Sequence, residues 1–358
     1  MCVRIVQANG LDLSLFQFDY DLTFAAFLLN ADRTIYGRFG SRSEQQHAEK
    51  DISLEGFRKA LAGALELHQH YPANKASLAG KQPLPVKMKR PEDYASLSGK
   101  YPGSIEFTGK VARTCIHCHQ VREAERLLYR ENKEPLPDKT LYPWPMPTLV
   151  GLSLDPKEKA KVTEVSPGSP AEKAGFKFGD EILHIQGGTS SASPILSIAD
   201  VQWVLQNAPS EADLGFHIRR ASGGTSSASA RPGEQDLTLY LPQGWRLKND
   251  IGWRSSTWDL RRMGTGGLVL KEASADERQK NGLRDNDLAL LVEYGEHAAG
   301  KRAGFQKGDI ITRVDDRSNR MTESELLGYL LQNKNKTDQA AFTVLRSGNK
   351  LDLKLAMQ

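Results

Sequence analysis

Apolar residues bunch near the N-terminus, thin out through a proline-dotted middle, and return as short spaced runs over the second half of the chain. Leu22 to Leu29 reads Leu-Thr-Phe-Ala-Ala-Phe-Leu-Leu, a run that predicts a buried strand. Asn30 to Thr34 supplies turn residues, and Ile35 to Phe39 predicts a second strand pairing back on the first. Ser53 is placed to cap a helix, because its hydroxyl can accept from the free amides of a first turn. That helix continues through Phe57, Leu61, Ala64, Leu65 and His68, a stripe of period 3.6. Ahead of the strands, Met1 to Asp12 predicts a short amphipathic helix with Val3, Val6 and Leu11 on one side, stopped at Asn9-Gly10.

Residues 72–148 show little periodicity apart from one helix after Cys118. Pro135, Pro137, Pro143, Pro145 and Pro147 predict an extended linker, since each proline fixes φ and lacks an amide. Beyond it the chain repeats itself. Ala174-Gly-Phe-Lys-Phe-Gly-Asp180 recurs 129 residues later as Ala303-Gly-Phe-Gln-Lys-Gly-Asp309. Leu205-Gln-Asn and Phe216 to Arg220 recur 126 residues later, at Leu331 and at Phe342 to Arg346. The drift places a longer loop in the first copy, and that loop holds the Gly-Ser spacer 187–193, whose heptapeptide reappears at 223–229. Four blocks follow: 1–71, 72–148, 149–245 and 246–358.

Ser166-Pro-Gly-Ser-Pro-Ala-Glu-Lys-Ala-Gly175, running on through Gly179-Asp180 into Glu181-Ile-Leu-His-Ile185, resembles the PDZ domains of bacterial envelope proteins. Gly175 ends a short helix begun at Ser169-Pro170, and Gly179-Asp180 turns the chain into the strand Ile182 to Ile185. The resemblance makes Ile198 to Asn207 a groove helix with Val201, Val204 and Leu205 facing inward. It makes Leu149, Val150, Gly151, Leu152, Ser153 and Leu154 the carboxylate-capturing loop and the strand that receives a peptide. In the second copy Gly266, Gly267, Leu268, Val269 and Leu270 take that place and Thr322 to Asn333 forms the helix, with a departure between Asn281 and Ala299. PDZ modules often accompany a trypsin-like protease, but no Gly-X-Ser-X-Gly and no Asp/His/Ser arrangement occurs, so protease chemistry is not expected.

Composition narrows the remaining classes. The balance of 48 basic against 44 acidic residues gives a net charge of +4, too little for a dedicated nucleic-acid binder. Trp253 and Trp258 with Arg254, Arg261 and Arg262 read instead as a packed junction with arginines on indole faces. No apolar run is long enough to form a transmembrane segment. His68 and His70, at the end of the long helix, suit its carbonyl end rather than a metal.

Three cysteines cannot build a disulfide framework. Cys115-Ile-His-Cys118-His119 matches the attachment signature of a covalent haem c, with both thiols on the porphyrin and His119 on the iron. Met88, Met146 and His117 are candidates for the sixth ligand. A redox disulfide, a zinc site using both thiolates with His119 or His117, and a structural bridge are the other readings of these residues.

Three features coincide: Phe16 to Phe24 with Asn30 to Arg38, the Cys-Ile-His-Cys-His stretch, and Trp253 to Arg262. Together they resemble a bacterial family of thioredoxin/PDZ proteins whose members often carry selenocysteine. The resemblance implies a multidomain α+β chain: a partial thioredoxin-like α/β domain, a small Cys-x-x-Cys-His segment and two tandem PDZ domains. Cys2 alone can match that family's redox motif, as the resolving cysteine, which leads us to expect a start truncated at an upstream selenocysteine codon. The implied function is peptide or protein C-terminus binding in the periplasm or cell envelope, linked to thiol-disulfide chemistry with a redox partner protein. The alternatives are a haem electron carrier that docks through its PDZ modules and a non-catalytic scaffold. No nucleic acid is expected as a partner.

Overall fold

The computed structural model describes residues 1–101, 111–187, 190–220, 233–295 and 297–358. The spacer heptapeptide at 223–229 lies outside them, as do residues 188 and 189 of its first copy. The chain divides into two compact units. The first holds Met1–Asp93, Leu97–Cys118 and Tyr142–Arg246; the second holds Tyr94–Ser96, His119–Leu141 and Leu247–Gln358. The proline-dotted segment therefore contributes to both.

In the first unit β1 (Ala26–Leu29) and β2 (Ile35–Phe39) pair antiparallel. The expected strand from Leu22 is thus only half formed, because the Leu22 amide is drawn into a turn on the Asp19 carbonyl at 3.0 Å. A short α1 (Ala48–Asp51) precedes α2 (Leu54–Gln69), whose N-cap Ser53 accepts from the Gly56 amide as its sequence position requires. Only part of the apolar stripe of α2 packs: Phe57 and Ala64 join the core, while the buried face is shifted from the one expected. Gly56, Ala60, Gly63 and Ala64 are buried, whereas Leu61 and Leu65 are exposed. Close approach explains the shift: a Cβ on Gly56 would meet the Pro156 carbonyl oxygen at 2.1 Å, and one on Gly63 would meet Leu196 at 2.7 Å.

The first twelve residues form no helix. Val3 and Val6 are exposed, and the chain instead docks at Ala8-Asn9. The Ala8 amide donates to the Ile116 carbonyl at 2.9 Å, and the Asn9 side chain bridges the Ile116 amide and the Thr114 carbonyl. Helix α3 (Val111–Thr114) and then α4 (Cys118–Glu131) and α5 (Asp138–Leu141) follow. The expected extended linker is a packed segment, with Tyr142 and Trp144 buried in the first unit and Leu136 and Leu141 in the second. Its aromatic and aliphatic side chains, rather than its prolines, decide its placement.

The rest of the first unit is β3 (Leu152–Leu154), β4 (Val162–Val165), α6 (Pro170–Ala174), β5 (Glu181–Gly187), β6 (Ser190–Pro194), α7 (Ile198–Asn207), β7 (Ala212–Arg220) and β8 (Gly233–Leu241). β3 pairs with β4, and a second sheet has the order β6-β5-β7-β8. Val162, Ile182, Val201, Phe216 and Leu239 sit in the shared core. Helix α7 is buried on every side. Asp200 holds the Lys81 ammonium at 2.6 Å and accepts the Arg38 amide at 3.1 Å, while Trp203 donates to the Gly80 carbonyl at 2.8 Å and carries the Arg38 guanidinium on its ring.

In the second unit α8 (Thr257–Thr265), β9 (Val269–Glu272), α9 (Ala275–Lys280), β10 (Leu290–Tyr294), α10 (Ala298–Arg302), β11 (Ile310–Val314), α11 (Glu323–Asn333), β12 (Gln339–Arg346) and β13 (Asn349–Ala356) build one sheet of order β13-β12-β11-β10-β9. Helix α9 lies just ahead of the departure expected between Asn281 and Ala299, in the β9–β10 connection whose counterpart in the first copy, 155–161, holds no helix. Arg126 of α4 is fully buried, donating to the Ser256 carbonyl at 2.9 Å, and Arg130 reaches the Gln358 carbonyl at 3.1 Å.

The repeat seen in the sequence is a repeat of one polar clamp. Arg220 grips the buried Asp180 through Nε and Nη2 at 2.7 and 2.6 Å and caps the Gly175 carbonyl at 2.9 Å. Arg346 grips Asp309 at 2.7 and 2.7 Å and caps the Gly304 carbonyl at 2.7 Å. Gly175 and Gly304 have φ of 90° and 92°, a region glycine enters without a Cβ clash. Phe176 meets Phe216 edge-on at 5.1 Å, and Phe305 meets Phe342 at 5.2 Å.

Candidate functional site

A strand can accept a peptide only where its backbone groups point away from its existing partner. Val162 of β4 donates to the Asp180 carbonyl and accepts from the Gly179 amide, both at 2.8 Å, so its backbone faces away from β3. Leu154 stands opposite Val162. The register shifts at this point, but the next residue, Asp155, gives its amide to the Lys161 carbonyl at 2.8 Å, so by alternation along the strand Leu154 turns its N–H and C=O outward. Leu152 shares that parity, because its neighbour Gly151 accepts the Ser166 amide at 3.0 Å. No strand pairs with that edge of β3 among the described residues.

Leu152 is buried in the core with Val150, Val201, Val204 and Leu205, while Leu149 and Leu154 pack on it half-buried. The three α7 residues face the core, as their inward positions on the helix require. Gly151 caps a short 3₁₀ turn at φ 89° and gives its amide to the Thr148 carbonyl at 3.0 Å. A Cβ there would strike Ser169 at 2.2 Å, which fixes glycine at this position.

In the second copy Val292 donates to the Asp309 carbonyl at 2.8 Å and accepts the Gly308 amide at 2.9 Å. It stands opposite Leu270, which therefore faces the unpaired edge of β9. Gly266 and Gly267 end α8, with the Gly267 amide on the Arg261 carbonyl at 2.8 Å; Leu268 and Leu270 are buried and Val269 half-buried. The edge is occupied here. Leu270 donates to Glu323 Oε1 at 2.8 Å, and Arg261 holds that carboxylate through Nε at 3.0 Å and Nη2 at 2.6 Å. Arg261 lies over the Trp258 ring and Arg254 over Trp253, the stacking expected of that stretch.

The cysteines are all thiols: Cys2 exposed, Cys115 buried, Cys118 half-buried. Cys2 lies on a segment without a helix. Cys118 opens α4, yet burial pushes its thiol up rather than down. His119 Nδ1 bonds Glu123 at 3.1 Å. His117 is exposed, and Met88 and Met146 are half-buried. No three His, Cys, Asp or Glu side chains converge on a metal-sized site among the described residues, so Cys115, Cys118 and His119 do not form a zinc cage as they stand. The His70 ring bonds the Glu66 carbonyl at 2.9 Å, the helix-end role expected of it, whereas His68 meets the Tyr36 hydroxyl of β2 at 2.9 Å.

Residues 161–214 match the family model for a PDZ domain. The first copy contains a PDZ domain. The chain is also similar to a probable periplasmic serine endoprotease DegP-like from Marinomonas sp. (strain MWYL1), 27% identical over 162 residues, 45% of this chain and 30% of that protein. It thus spans under a third of that relative's length. Among solved structures it matches the HtrA-type protease AlgW with decapeptide, at 15% identity over 42% of this chain and 51% of that one, with a TM-score of 0.24. The same protease with tripeptide matches at 14% over 40% and 59%, with a TM-score of 0.23. No described helix is long and apolar enough to cross a membrane.

Sequence reasoning missed three side chains of the PDZ domain and its second copy. Arg220 and Arg346 recur at the repeat spacing and could have been paired with the recurring aspartates. Glu323 gave no signal, because an acid in the first turn of a helix is ordinary.

Proposed function

We propose that the protein binds extended peptides, with protein C-termini the fitting class, by strand addition to β3, and that it works in the periplasm or cell envelope. The observation that carries this is the outward-facing backbone of Leu154 on the unpaired edge of β3, just ahead of the residues that match a PDZ domain. Main-chain bonds give such a site its affinity, and the half-buried Leu149 and Leu154 beside it favour aliphatic ligand side chains. The periplasmic relative supports the compartment. In this reading the second copy is a second PDZ domain, supported by its matching clamp and glycines. The finer reading, a thioredoxin-like half that brings redox chemistry and a partner protein to bound clients, rests on the order β1-β2-α2 and the exposed Cys2.

The test is calorimetric titration of the full chain with a pool of decapeptides having aliphatic C-termini and free carboxylates. Binding is expected, and it is expected to vanish in Leu154→Pro, which removes the edge N–H without breaking a ladder bond. Unchanged binding in that variant overturns the reading.

A second reading, covalent haem c at Cys115 and Cys118, is favoured by one contact. The carboxylate of Glu123 stands 3.1 Å from His119 Nδ1, the kind of contact that orients a metal-bound histidine. Bound haem would supply electron transfer. A pyridine haemochrome spectrum after expression with c-type maturation machinery decides it: a covalent haem band lost in Cys115→Ala supports haem, and colourless protein removes it.

A further inference from the structure

We propose that Glu323 closes the second copy to added strands by occupying the edge of β9 itself. The inference rests on reading that copy as a PDZ domain. A peptide strand laid along β9 would need the Leu270 N–H as a donor, and that N–H already donates to Glu323 Oε1 at 2.8 Å. The carboxylate cannot drift off cheaply, because Arg261 holds both its oxygens at 3.0 and 2.6 Å and both side chains are buried. Breaking one side of such a pair leaves an uncompensated buried charge. Just ahead of β9 the Leu268 carbonyl is also taken, by the Thr265 hydroxyl at 3.2 Å. Helix α8 presses Gly264 against Leu327 and Leu331 of α11, so close that a Cβ would meet Leu327 at 3.1 Å.

The first copy lacks this device. At the 126-residue offset relating the helices, Ser197 stands where the second copy has Glu323. The Ser197 hydroxyl donates to the Arg38 carbonyl and does not touch β3. Peptide binding therefore belongs to the first copy, and the second admits a strand only when the Arg261–Glu323 pair is opened.

Amide hydrogen exchange on the full chain tests this in Glu323→Ala/Arg261→Met, which removes both charges together. The Leu270 amide should exchange about tenfold faster than in the unsubstituted protein, the loss of one bond to a charged group. Lys271, which faces β10, should not change. Glu323→Gln keeps an acceptor for Leu270 and is expected to fall between the two, which guards against a double variant that fails to fold. The decapeptide pool should perturb β9 only in the double variant. Leu270 exchange unaltered in both variants, or peptide perturbing Leu270 in the unsubstituted protein, overturns the proposal. Faster Leu270 exchange with no peptide response at β9 keeps the Glu323 cap and overturns the second copy's reading as a peptide site.

Discussion

The two copies of the repeat share one arginine–aspartate clamp and differ in what surrounds the groove helix. In the first, the acid near the start of α7 is Asp200, which turns away from β3 to a buried ammonium, and the strand edge stays unpaired. In the second, Leu326 stands at the position corresponding to Asp200, and Glu323 turns onto the edge of β9. The clamp sets the fold of each copy, and the placement of a single carboxylate sets whether the edge is available. Homologous frames can thus keep their architecture while dividing between binding and structural roles.

The comparison breaks most sharply at Asp200. Asp200→Ala leaves Lys81 buried without its partner and removes acceptors from Arg38 and Leu196, so a loss of about 4–5 kcal/mol is expected in the first unit alone. Denaturant melts followed separately on Trp203 and Trp258 fluorescence check it; equal losses in both units contradict the asymmetry. The clamp should behave symmetrically. Arg220→Ala and Arg346→Ala each strand a buried aspartate and should each cost about 3 kcal/mol, with the two values alike in urea denaturation.

Asp259 sharpens the contrast between a satisfied and an unsatisfied buried acid. Burial, and then the charge of Glu123, push its carboxyl up to about 6. A raised carboxyl pKa contributes stability that is present in full below the unfolded value near 4 and is lost as pH rises through 6. Asp259→Asn should therefore stabilise the second unit at pH 7 by up to about 3 kcal/mol, with no difference below pH 4. The smallest effects come at the paired glycines. Gly175→Ala and Gly304→Ala should each cost about 1 kcal/mol, because both place a Cβ at strongly positive φ.

Much of the repeat was legible from its glycines and caps. Helix α7 spans the residues its pattern indicates, and α11 fills the expected Thr322 to Asn333, with Thr322 as its N-cap. Elements whose packing rests on small or charged residues were not. The α2 stripe misled because Gly56 and Gly63, invisible to an apolar pattern, carry the close approach. Helix α4 looks solvated by composition, yet Arg122, Arg126 and Arg130 are buried through hydrogen bonds that no periodicity encodes. The N-terminal segment has helical spacing but finds its hydrogen bonds on residues 114–116, a non-local pairing beyond any sequence window.

The most direct measurement is hydrogen exchange at Leu154 in the full chain with and without the decapeptide pool. Its amide points away from β4, so strand addition should slow its exchange by about tenfold or more while Leu270 stays unchanged. Peptide that binds with Leu154 exchange unaltered would contradict strand addition to β3.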